Sequence, residues 1–327
     1  MKTDTQITPT EIPGQPPQPD MVWIPGGTFR MGSNDHYPEE GPVHQVTVDG
    51  FWMDQYQVTN AQFARFVKET GYATVAERAP KPEDYPGAPP ENLVPGSLVF
   101  QKTKGPVDLR QMDQWWLWTP GAYWQRPEGP RSTIKKRKHH PVVQIAYEDA
   151  ATYAEWAGKS LPSEAEWEFA ARGGLDGAEF TWGDEHFPNG KPAANTWQGE
   201  FPWQNLELDG YERTAPVGTF QPNGYGLYDM AGNAWDLTDD WWTEAHPEDA
   251  EKACCIPQNP RGGQLEQSYD PSMPQFRVPR KVVKGGSHLC APNYCLRYRP
   301  AARRPQMIDT GTSHISFRCI VRVGRAG

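Results

Sequence analysis

The sequence has no run of about 18 apolar residues, which is the length that a membrane-spanning helix requires. Its first 20 residues also lack the apolar core of a secretion signal. Positive charge is in deficit, with 32 Lys and Arg against 41 Asp and Glu, so the chain should repel nucleic acid and anionic membranes. We therefore expect a cytoplasmic protein that binds neither nucleic acid nor membranes.

Cysteine is scarce and odd in number, with five residues among 327. In a chain without an export signal, this argues against a structural disulfide framework. Reactive or metal-binding roles for individual thiols gain weight instead.

The sequence is rich in residues that interrupt regular structure and in aromatic residues. It contains 31 Gly and 34 Pro, which break helices and long strands, and 14 Trp, 13 Tyr and 12 Phe, which supply large apolar areas. This composition predicts a loop-rich fold with an aromatic core. Residues 1–20 are polar and Pro-rich and should form a disordered tail, whereas residues 21–327 show no compositional break and should form one domain.

Local patterns predict several short elements. Residues 21–33 indicate two strands about a Pro-Gly-Gly turn, and residues 44–59 indicate two more about Asp49-Gly50. Helices are predicted at three places: residues 60–72 with Thr59 as cap and Gly71 as stop, Glu148–Ala157, and Ser163–Arg172 with a Ser163/Glu166 capping box. Between them, residues 80–140 form a long segment with an aromatic cluster at 115–124, and such ordered loops are usually functional.

Two cysteines, Cys290 and Cys295, lie in the turn-rich segment GGSHLCAPNYC, which could bring their sulfurs together. The spacing is not the Cys-x-x-Cys of zinc or thioredoxin-like sites, and no second Cys/His pair completes a tetrahedral zinc site. Two soft thiolates do match the ligand preference of Cu(I). From the spacing alone, a pair of inert buried thiols is an equally good interpretation, because free Cys is among the most buried residue types.

Several motifs in fixed order carry a family resemblance. They are MVWIPGGTFRMGS at 21–33, YQVTNAQFARFV at 56–67, LPSEAEWEFAARGG at 161–174, ANTWQGEFPWQN at 194–205, TAPVGTFQPNGYGLYDMAGNAWDLTDDWW at 214–242, KGGSHLCAPNYCLRYRPAAR at 284–303 and SHISFRC at 313–319. The chain resembles the formylglycine-generating enzyme family, also called the sulfatase-modifying factor domain, in its prokaryotic form. The resemblance implies an α+β fold related to C-type lectins, with short antiparallel strands and a few helices.

The resemblance also implies a chemistry for the cysteine pair. In this family the two positions bind Cu(I), and the cysteine of a substrate completes the site. The implied reaction uses molecular oxygen and a thiol reductant to convert the cysteine of an extended Cys-x-Pro-x-Arg segment of a sulfatase into Cα-formylglycine. We expect an exposed cleft that holds both thiols, is built in part from the aromatic segment at 115–124, and carries negative charge that suits the substrate arginine.

Three further residues, Ser287, Trp235 and Tyr294, match family positions that line the catalytic pocket. Taken singly, they are also typical of a turn residue, a core aromatic and a packing residue. His288 could be a third ligand, although a surface histidine or one with a satisfied hydrogen bond is the plainer interpretation. For the basic residues that follow the second cysteine, Arg297, Arg299 and Arg303, we expect salt bridges to the excess of acidic side chains.

The resemblance further implies two structural calcium sites, because calcium accepts mixed shells of side-chain and carbonyl oxygens. The first group comprises Asn195, Thr196, Asp209 and Tyr211, and the second comprises Asp229, Gly232, Ala234 and Asp236. Asp236 stands where Glu is common, and its shorter side chain weakens the second assignment. Turn chemistry is the alternative for both groups, since Asn and Asp in Gly-rich loops bind their own backbone.

The sequence departs from the family pattern at a few positions. In secreted members a disulfide joins the positions of Cys319 and Ala154, and the position of Pro300 also holds a paired cysteine. Because Ala154 cannot form that disulfide, Cys319 should be a free buried thiol. His314 and Ser316 stand where many members have Asn and Gly, near the pocket wall.

Two other functions stay open. A related non-haem iron oxidase acting on a small thiol would need a His-rich ligand set, and we find no added histidine domain. A non-catalytic binding module would be expected to lack one or both cysteines of the pair, and this chain has both.

Overall fold

A computed structural model describes residue 12, residues 14–247 and residues 255–323. In this part of the chain, eleven short strands and three α-helices are connected by long loops. The strands are β1 (Met21–Ile24), β2 (Gly27–Met31), β3 (His44–Val48), β4 (Phe51–Asp54), β5 (Gly96–Phe100), β6 (Trp116–Pro120), β7 (Trp235–Trp241), β8 (Arg280–Lys284), β9 (Arg303–Met307), β10 (Ile315–Ser316) and β11 (Ile320–Arg322). The helices are α1 (Asn60–Thr70), α2 (Tyr147–Trp156) and α3 (Glu164–Arg172). The predicted α+β class is confirmed.

The first four strands exist where they were predicted, but their predicted pairing is wrong. Strand β1 pairs with β4 and β2 pairs with β3, all in one antiparallel register. The two predicted turns therefore lie opposite each other and interrupt one long hairpin. At Gly26, where φ is +70°, an added Cβ would lie 2.6 Å from the backbone of Asp49 and Gly50, so glycine permits this close approach. The chain reverses at residues 32–43 instead, and this loop reaches the cysteine segment.

The remaining strands extend the β1–β4 pair and form two further small sheets. Strand β11 extends the β1–β4 pair, and a four-stranded sheet has the order β10-β7-β8-β9, with β10 parallel to β7 and the other pairs antiparallel. Strands β5 and β6, both from the long 80–140 segment, pair as a separate hairpin. The segment 285–302, which carries both cysteines, connects β8 to β9.

All three predicted helices are confirmed to within about two residues at each end. Thr59 and Gln62 form the capping box of α1, and Gly71 ends that helix at a φ of 70°. Ser163 and Glu166 form the capping box of α3, as predicted. Because every residue of α3 is buried, this helix acts as a central support on which β2, β3, β7 and β8 pack.

The core is dominated by aromatic side chains, as the composition predicts. One cluster contains Phe63, Phe66, Tyr153 and Phe317 together with both cysteines of the pair. A second cluster, made by Phe100, Trp115, Trp197, Phe201, Leu289 and Ala291, lies beside the same cysteine segment. The β5–β6 segment thereby becomes part of the wall next to the thiols.

Three ion pairs, two of them buried and that of Arg297 partly buried, connect the segment around the cysteines to the rest of the fold. Arg297 binds Glu39 at 2.6 Å, Arg299 binds Glu40 at 2.5 Å, and Arg303 binds Glu164 at 2.7 Å. The salt bridges predicted for these three arginines are confirmed. They connect the residues after Cys295 to the 32–43 loop and to α3.

No helix among the described residues is both long and apolar enough to cross a membrane. The predicted tail lies largely outside the described residues. Within its described part, Gln18 donates a hydrogen bond to the carbonyl of Ala157 at 2.6 Å. The single domain at residues 21–327 stays a prediction.

Candidate functional site

The segment that follows β8 folds back on itself and brings the two cysteines together. At Gly286, where φ is +71°, an added Cβ would lie 2.9 Å from backbone atoms of Arg297 and Tyr298, so the start and the end of the loop touch. A helical turn then forms between the cysteines, in which Cys295 N donates to the carbonyl of Ala291 at 2.6 Å. As a result the Sγ atoms of Cys290 and Cys295 lie 3.1 Å apart, within hydrogen-bond distance of each other.

The pKa values of the two thiols are shifted in opposite directions. The hydrogen bond from Cys290, together with the charges of Arg297 and Arg304, lowers the pKa of Cys295 despite burial. Burial, together with the hydrogen bond to Cys295, raises the pKa of Cys290 well above its ordinary value. The arrangement therefore favours a thiolate at Cys295 that accepts a hydrogen bond from a thiol at Cys290.

The predicted exposed cleft is wrong for this structure, because each thiol is only 2% exposed. Tyr294 lies between the two cysteines in sequence and stacks on Phe201, with ring centroids 4.4 Å apart. Trp115 meets the same tyrosine edge-on at 5.7 Å. These rings come from three distant segments, so the spacing of the cysteines could not reveal that aromatic side chains cover them. The expected contribution of the aromatic segment to the wall is confirmed.

The structure places the other predicted pocket residues close by, although with different contacts. Trp235 is buried in the same apolar cluster as both thiols, and its backbone N–H donates to the carbonyl of His314 at 2.9 Å. Ser287 is fully buried, and its hydroxyl accepts from Leu289 N at 3.2 Å. Ser287 therefore fixes the turn that leads into Cys290.

The charge beside the thiols is positive, so the expected negative charge is wrong at this position. Arg297 Nη1 lies 3.9 Å from Cys295 Sγ, and Arg304 also acts on this thiol by its charge. Sequence reasoning assigned Arg297 only to a salt bridge. Its position two residues after a predicted catalytic cysteine was the one available signal for a second role.

Two buried histidines flank the site in the neutral form. Burial lowers the pKa of His288 to about 4, and Nδ1 of this ring bonds the carbonyl of Asn233 at 2.8 Å. Of the two plainer interpretations of His288, a histidine with a satisfied hydrogen bond is confirmed and a surface histidine is wrong, because the ring is buried. Burial and the charge of Arg304 lower the pKa of His314 well below its ordinary value, and this ring meets Trp116 edge-on at 4.7 Å. Neither His314 Nδ1 nor Ser316 Oγ has a hydrogen-bond partner within the described residues.

Cys319 is a fully buried free thiol, as predicted. It belongs to the same apolar cluster as Ala154 and the cysteine pair. Its backbone N–H donates to the carboxylate of Asp54 at 3.2 Å. The thiol itself is therefore a packing group.

The first predicted calcium group comes together in space. Both oxygens of Asp209 accept backbone N–H groups, from Thr196 and Tyr211, at 3.0 Å each. Asn195 donates its amide to the carbonyl of Arg213, whereas its buried Oδ1 has no partner within the described residues. Burial raises the pKa of Asp209, because its charge is removed from water. A partly buried carboxylate and an unpartnered buried oxygen fit a calcium ion at this loop crossing.

The second predicted calcium group does not fit a calcium ion in this arrangement. Arg318 donates to the carboxylate of Asp236 at 2.6 Å and to the carbonyl of Asp229 at 3.1 Å. Gln57 donates to the other oxygen of Asp236 at 3.0 Å and to the carbonyl of Ala234 at 2.5 Å. Arg318 and Gln57 thus already donate hydrogen bonds to three of the expected ligand residues, Asp229, Ala234 and Asp236. The guanidinium of Arg318 also supplies the positive charge that a calcium ion would have brought.

The donor set at the thiols favours a soft metal ion. Two sulfur atoms face each other, and one is poised as a thiolate, which is the form that binds metals. No group of three or more His, Cys, Asp and Glu side chains that could hold a metal occurs among the described residues. The residues therefore fit Cu(I), which accepts few soft ligands, better than iron or zinc, which need larger sets.

The chain is similar to known proteins over most of its length. The sequence pattern of the sulfatase-modifying factor enzyme 1-like domain matches residues 8–323. Over 305 residues the chain is 53% identical to the formylglycine-generating enzyme of Mycobacterium tuberculosis, covering 92% of this chain and 97% of that one. Over 311 residues it is 41% identical to the inactive C-alpha-formylglycine-generating enzyme 2 of Bos taurus, covering 94% and 89%.

The structure of PvdO from Pseudomonas aeruginosa superposes with a TM-score of 0.62 at 24% identity, covering 93% of this chain and 94% of that one. This similarity supports the fold alone. The predicted fold is confirmed by the family match and by this superposition. The chain belongs to the sulfatase-modifying factor enzyme 1-like family.

Proposed function

We propose that this protein is an oxidase that converts the cysteine of a Cys-x-Pro-x-Arg segment in a sulfatase polypeptide to Cα-formylglycine. Cys290 and Cys295 would hold Cu(I), molecular oxygen would be the oxidant, and a thiol would supply reducing equivalents. The observation that carries the proposal is the pair of buried sulfurs 3.1 Å apart, at the family's active-site positions. The hydrogen bond from Cys290 and the charges of Arg297 and Arg304 lower the pKa of Cys295, which favours the thiolate form that binds metals.

The reaction balances with one oxygen molecule. The substrate CH₂–SH group gives an aldehyde and hydrogen sulfide, and two reductant thiols give a disulfide. One oxygen atom enters the aldehyde and the other leaves as water. When bound, Cu(I) supplies a soft centre that a third thiolate and oxygen are able to approach.

The residues of the chain have separate tasks in this proposal. Cys295 and Cys290 hold the ion, and the loop closure at Gly286 fixes their separation. Tyr294 and the rings packed on it keep bulk water from the sulfurs. Ser287 orients Cys290 through the turn, and Trp235 backs the pocket from β7. A calcium ion at Asn195 and Asp209 would brace the loop beside Cys290, since Trp197 N donates to the Cys290 carbonyl at 3.0 Å.

The decisive experiment incubates the purified protein with a Cys-x-Pro-x-Arg peptide, Cu(I), a thiol reductant and oxygen. Conversion is measured by the mass loss of the peptide and by the reactivity of the new aldehyde with a hydrazide. The parent protein should convert the peptide, whereas Cys290→Ser and Cys295→Ser should each give no detectable product, because one sulfur alone cannot complete the soft site.

Cys319→Ala is the matched control, since it removes a buried thiol of the same cluster that has no part in the pair. This variant should retain conversion. Turnover of the peptide by Cys295→Ser at the parent rate would contradict the proposal. Turnover of small thiols with Fe(II), and none of the peptide with Cu(I), would favour an iron oxidase, and no turnover of any kind would favour a binding module.

A further inference from the structure

Three contacts fix the guanidinium of Arg297 beside the thiol pair. Nη2 binds Glu39 Oε1 at 2.6 Å, and Nη1 lies 3.9 Å from Cys295 Sγ. The guanidinium also lies over the ring of Tyr37, at 3.6 Å from its centroid, and the hydroxyl of Tyr37 accepts from Leu296 N at 3.0 Å. Acid, ring and sulfur therefore enclose one charged group.

This geometry differs from that of the neighbouring arginines. Arg299 donates two nitrogens to Glu40, and Arg303 donates two nitrogens to Glu164, which is the strongest arrangement for an arginine and a carboxylate. Arg297 gives only one nitrogen to its acid. Its Nη1 points to the sulfur, and its buried Nε has no partner within the described residues. The contact with Glu39 orients Arg297, and the geometry is not optimised for the salt bridge alone.

Charge balance explains how the contact between Arg297 and Cys295 could stabilise a bound metal ion, and this step rests on the proposed function. Two thiolates and one monovalent copper ion carry a net charge of minus one. A buried unpaired charge is costly, so a cation beside it stabilises the bound form. Arg297 is the cation whose nitrogen faces the sulfur, and Glu39 and Tyr37 prevent it from turning toward solvent.

We propose that Arg297 is a positioning residue for the Cys290/Cys295 pair, held in place by Glu39 and Tyr37, and that its charge stabilises Cu(I) bound between the two sulfurs. Neither Arg297 nor Glu39 touches the reacting atoms of the substrate in this proposal. Their effect is transmitted through Cys295.

The first test measures the Cu(I) affinity of the full chain by competition with a chromogenic Cu(I) chelator. Arg297→Gln should weaken Cu(I) binding about tenfold or more. Arg297→Lys keeps the positive charge but lacks the planar guanidinium with its several donors, so it should recover part of the lost Cu(I) affinity. Arg322→Gln is the matched control, because Arg322 forms a two-nitrogen pair with Glu166 and has no contact with either thiol. It should bind Cu(I) like the parent.

A double variant separates a role at the sulfur from a role in the salt bridge. If Arg297 served only to pair Glu39, removing both charges in Glu39→Gln/Arg297→Gln would restore the parent affinity for Cu(I). We expect the double variant to stay as weak as Arg297→Gln, while its melting temperature recovers toward the parent value. Restored Cu(I) affinity in the double variant would overturn the inference.

The second test does not involve copper. In a buffer of glutathione and glutathione disulfide, the two thiols lose two electrons and two protons to form the Cys290–Cys295 disulfide, and glutathione disulfide becomes two glutathione molecules. Arg297→Gln should form this disulfide with an equilibrium constant roughly 3- to 10-fold larger, because the reduced pair loses its cation. Alkylation and mass spectrometry measure the fraction oxidised.

The outcomes distinguish the two proposals. If the parent binds Cu(I) and Arg297→Gln binds it equally well, the role of Arg297 is refuted. If the parent binds Cu(I) no better than Cys290→Ala/Cys295→Ala, the copper part of the proposed function is refuted, and the glutathione equilibrium alone then decides whether Arg297 acts on the pair.

Discussion

Glu168 is the acid at the centre of the support beneath the cysteine loop, and its removal should have a large and pH-dependent effect. The side chain is fully buried in α3. One oxygen accepts from Gly32 N and Arg172, and the other accepts from Lys284 at 3.0 Å. Lys284 is the last residue of β8, directly before the cysteine loop. Glu168 thus connects the 32–43 loop, α3 and the start of the site.

The expected magnitude follows from the pKa of this carboxyl. Burial opposes ionisation, but the charges of Lys284 and Arg172 outweigh it and lower the pKa from 4.5 to about 2. That difference corresponds to about 3 kcal/mol of stability. Removing one partner of a buried ion pair typically costs about 3–5 kcal/mol, which agrees. Glu168→Gln should therefore lower the free energy of unfolding by about 3 kcal/mol at neutral pH.

The sign of the pH dependence is fixed by the lowered pKa. The contribution of Glu168 is complete above pH 4.5 and is lost as the pH falls toward 2, because the folded state then takes up a proton at this carboxyl. Urea unfolding followed by tryptophan fluorescence should therefore show a difference between parent and Glu168→Gln that is largest at neutral pH and smaller near about pH 3.5.

Glu69→Gln is the matched control for this experiment. Glu69 pairs with Arg65 over the same four-residue spacing as Glu168 and Arg172, but the side chains of Glu69 and Arg65 are both more than half exposed. Its loss should change stability by less than about 0.5 kcal/mol. A Glu168→Gln protein within about 1 kcal/mol of the parent at neutral pH, or a difference that does not shrink in acid, would refute the reasoning.

Two further predictions concern the loops. Gly286→Ala should lower the free energy of unfolding by about 1–3 kcal/mol and abolish peptide conversion, because its Cβ would lie 2.9 Å from backbone atoms. Gly71→Ala has a similar φ but open space around the Cβ, so it should lower the free energy of unfolding by about 1 kcal/mol and leave conversion intact. Thermal melting and the peptide assay measure these two effects. A calcium chelator should lower the melting temperature of the parent but not of Asp209→Asn, because this variant lacks the carboxylate of the proposed site; equal shifts in both proteins would refute calcium binding there.

The parts of the fold that the sequence predicts correctly are those decided by local chemistry. The cap at Thr59 and the capping box at Ser163 specify where α1 and α3 begin, and the structure has both. Local chemistry does not predict the pairing of the first four strands. Pro-Gly-Gly and Asp-Gly are typical of turns, and they therefore suggest two separate hairpins. Here Gly26, between β1 and β2, instead allows a close approach to Asp49, between β3 and β4, which is a contact between residues far apart in sequence.

The site shows the same division. The flanking motif identifies Cys290 and Cys295, and the structure brings their sulfurs to 3.1 Å. Their burial depends on rings from three segments, and the positive charge beside them depends on Glu39 and Tyr37 of the 32–43 loop, which hold Arg297 toward Cys295. Periodicity and spacing carry no information about such contacts, so the cleft and its charge were predicted wrongly.

The ion pairs also explain how the cysteine loop keeps its shape with Pro300 and Ala154 at positions where the family resemblance places paired cysteines. Arg299 and Arg303 lie on either side of Pro300 and are each bound by two nitrogens to a buried acid, Glu40 and Glu164. A disulfide acts mainly by restricting the unfolded chain. A buried ion pair acts in the folded state, because an arginine that leaves its acid exposes both charges to an apolar interior. The segment after Cys295 is therefore fixed by native contacts that do not depend on the redox state of the surroundings, whereas the thiol pair at 290 and 295 remains sensitive to it.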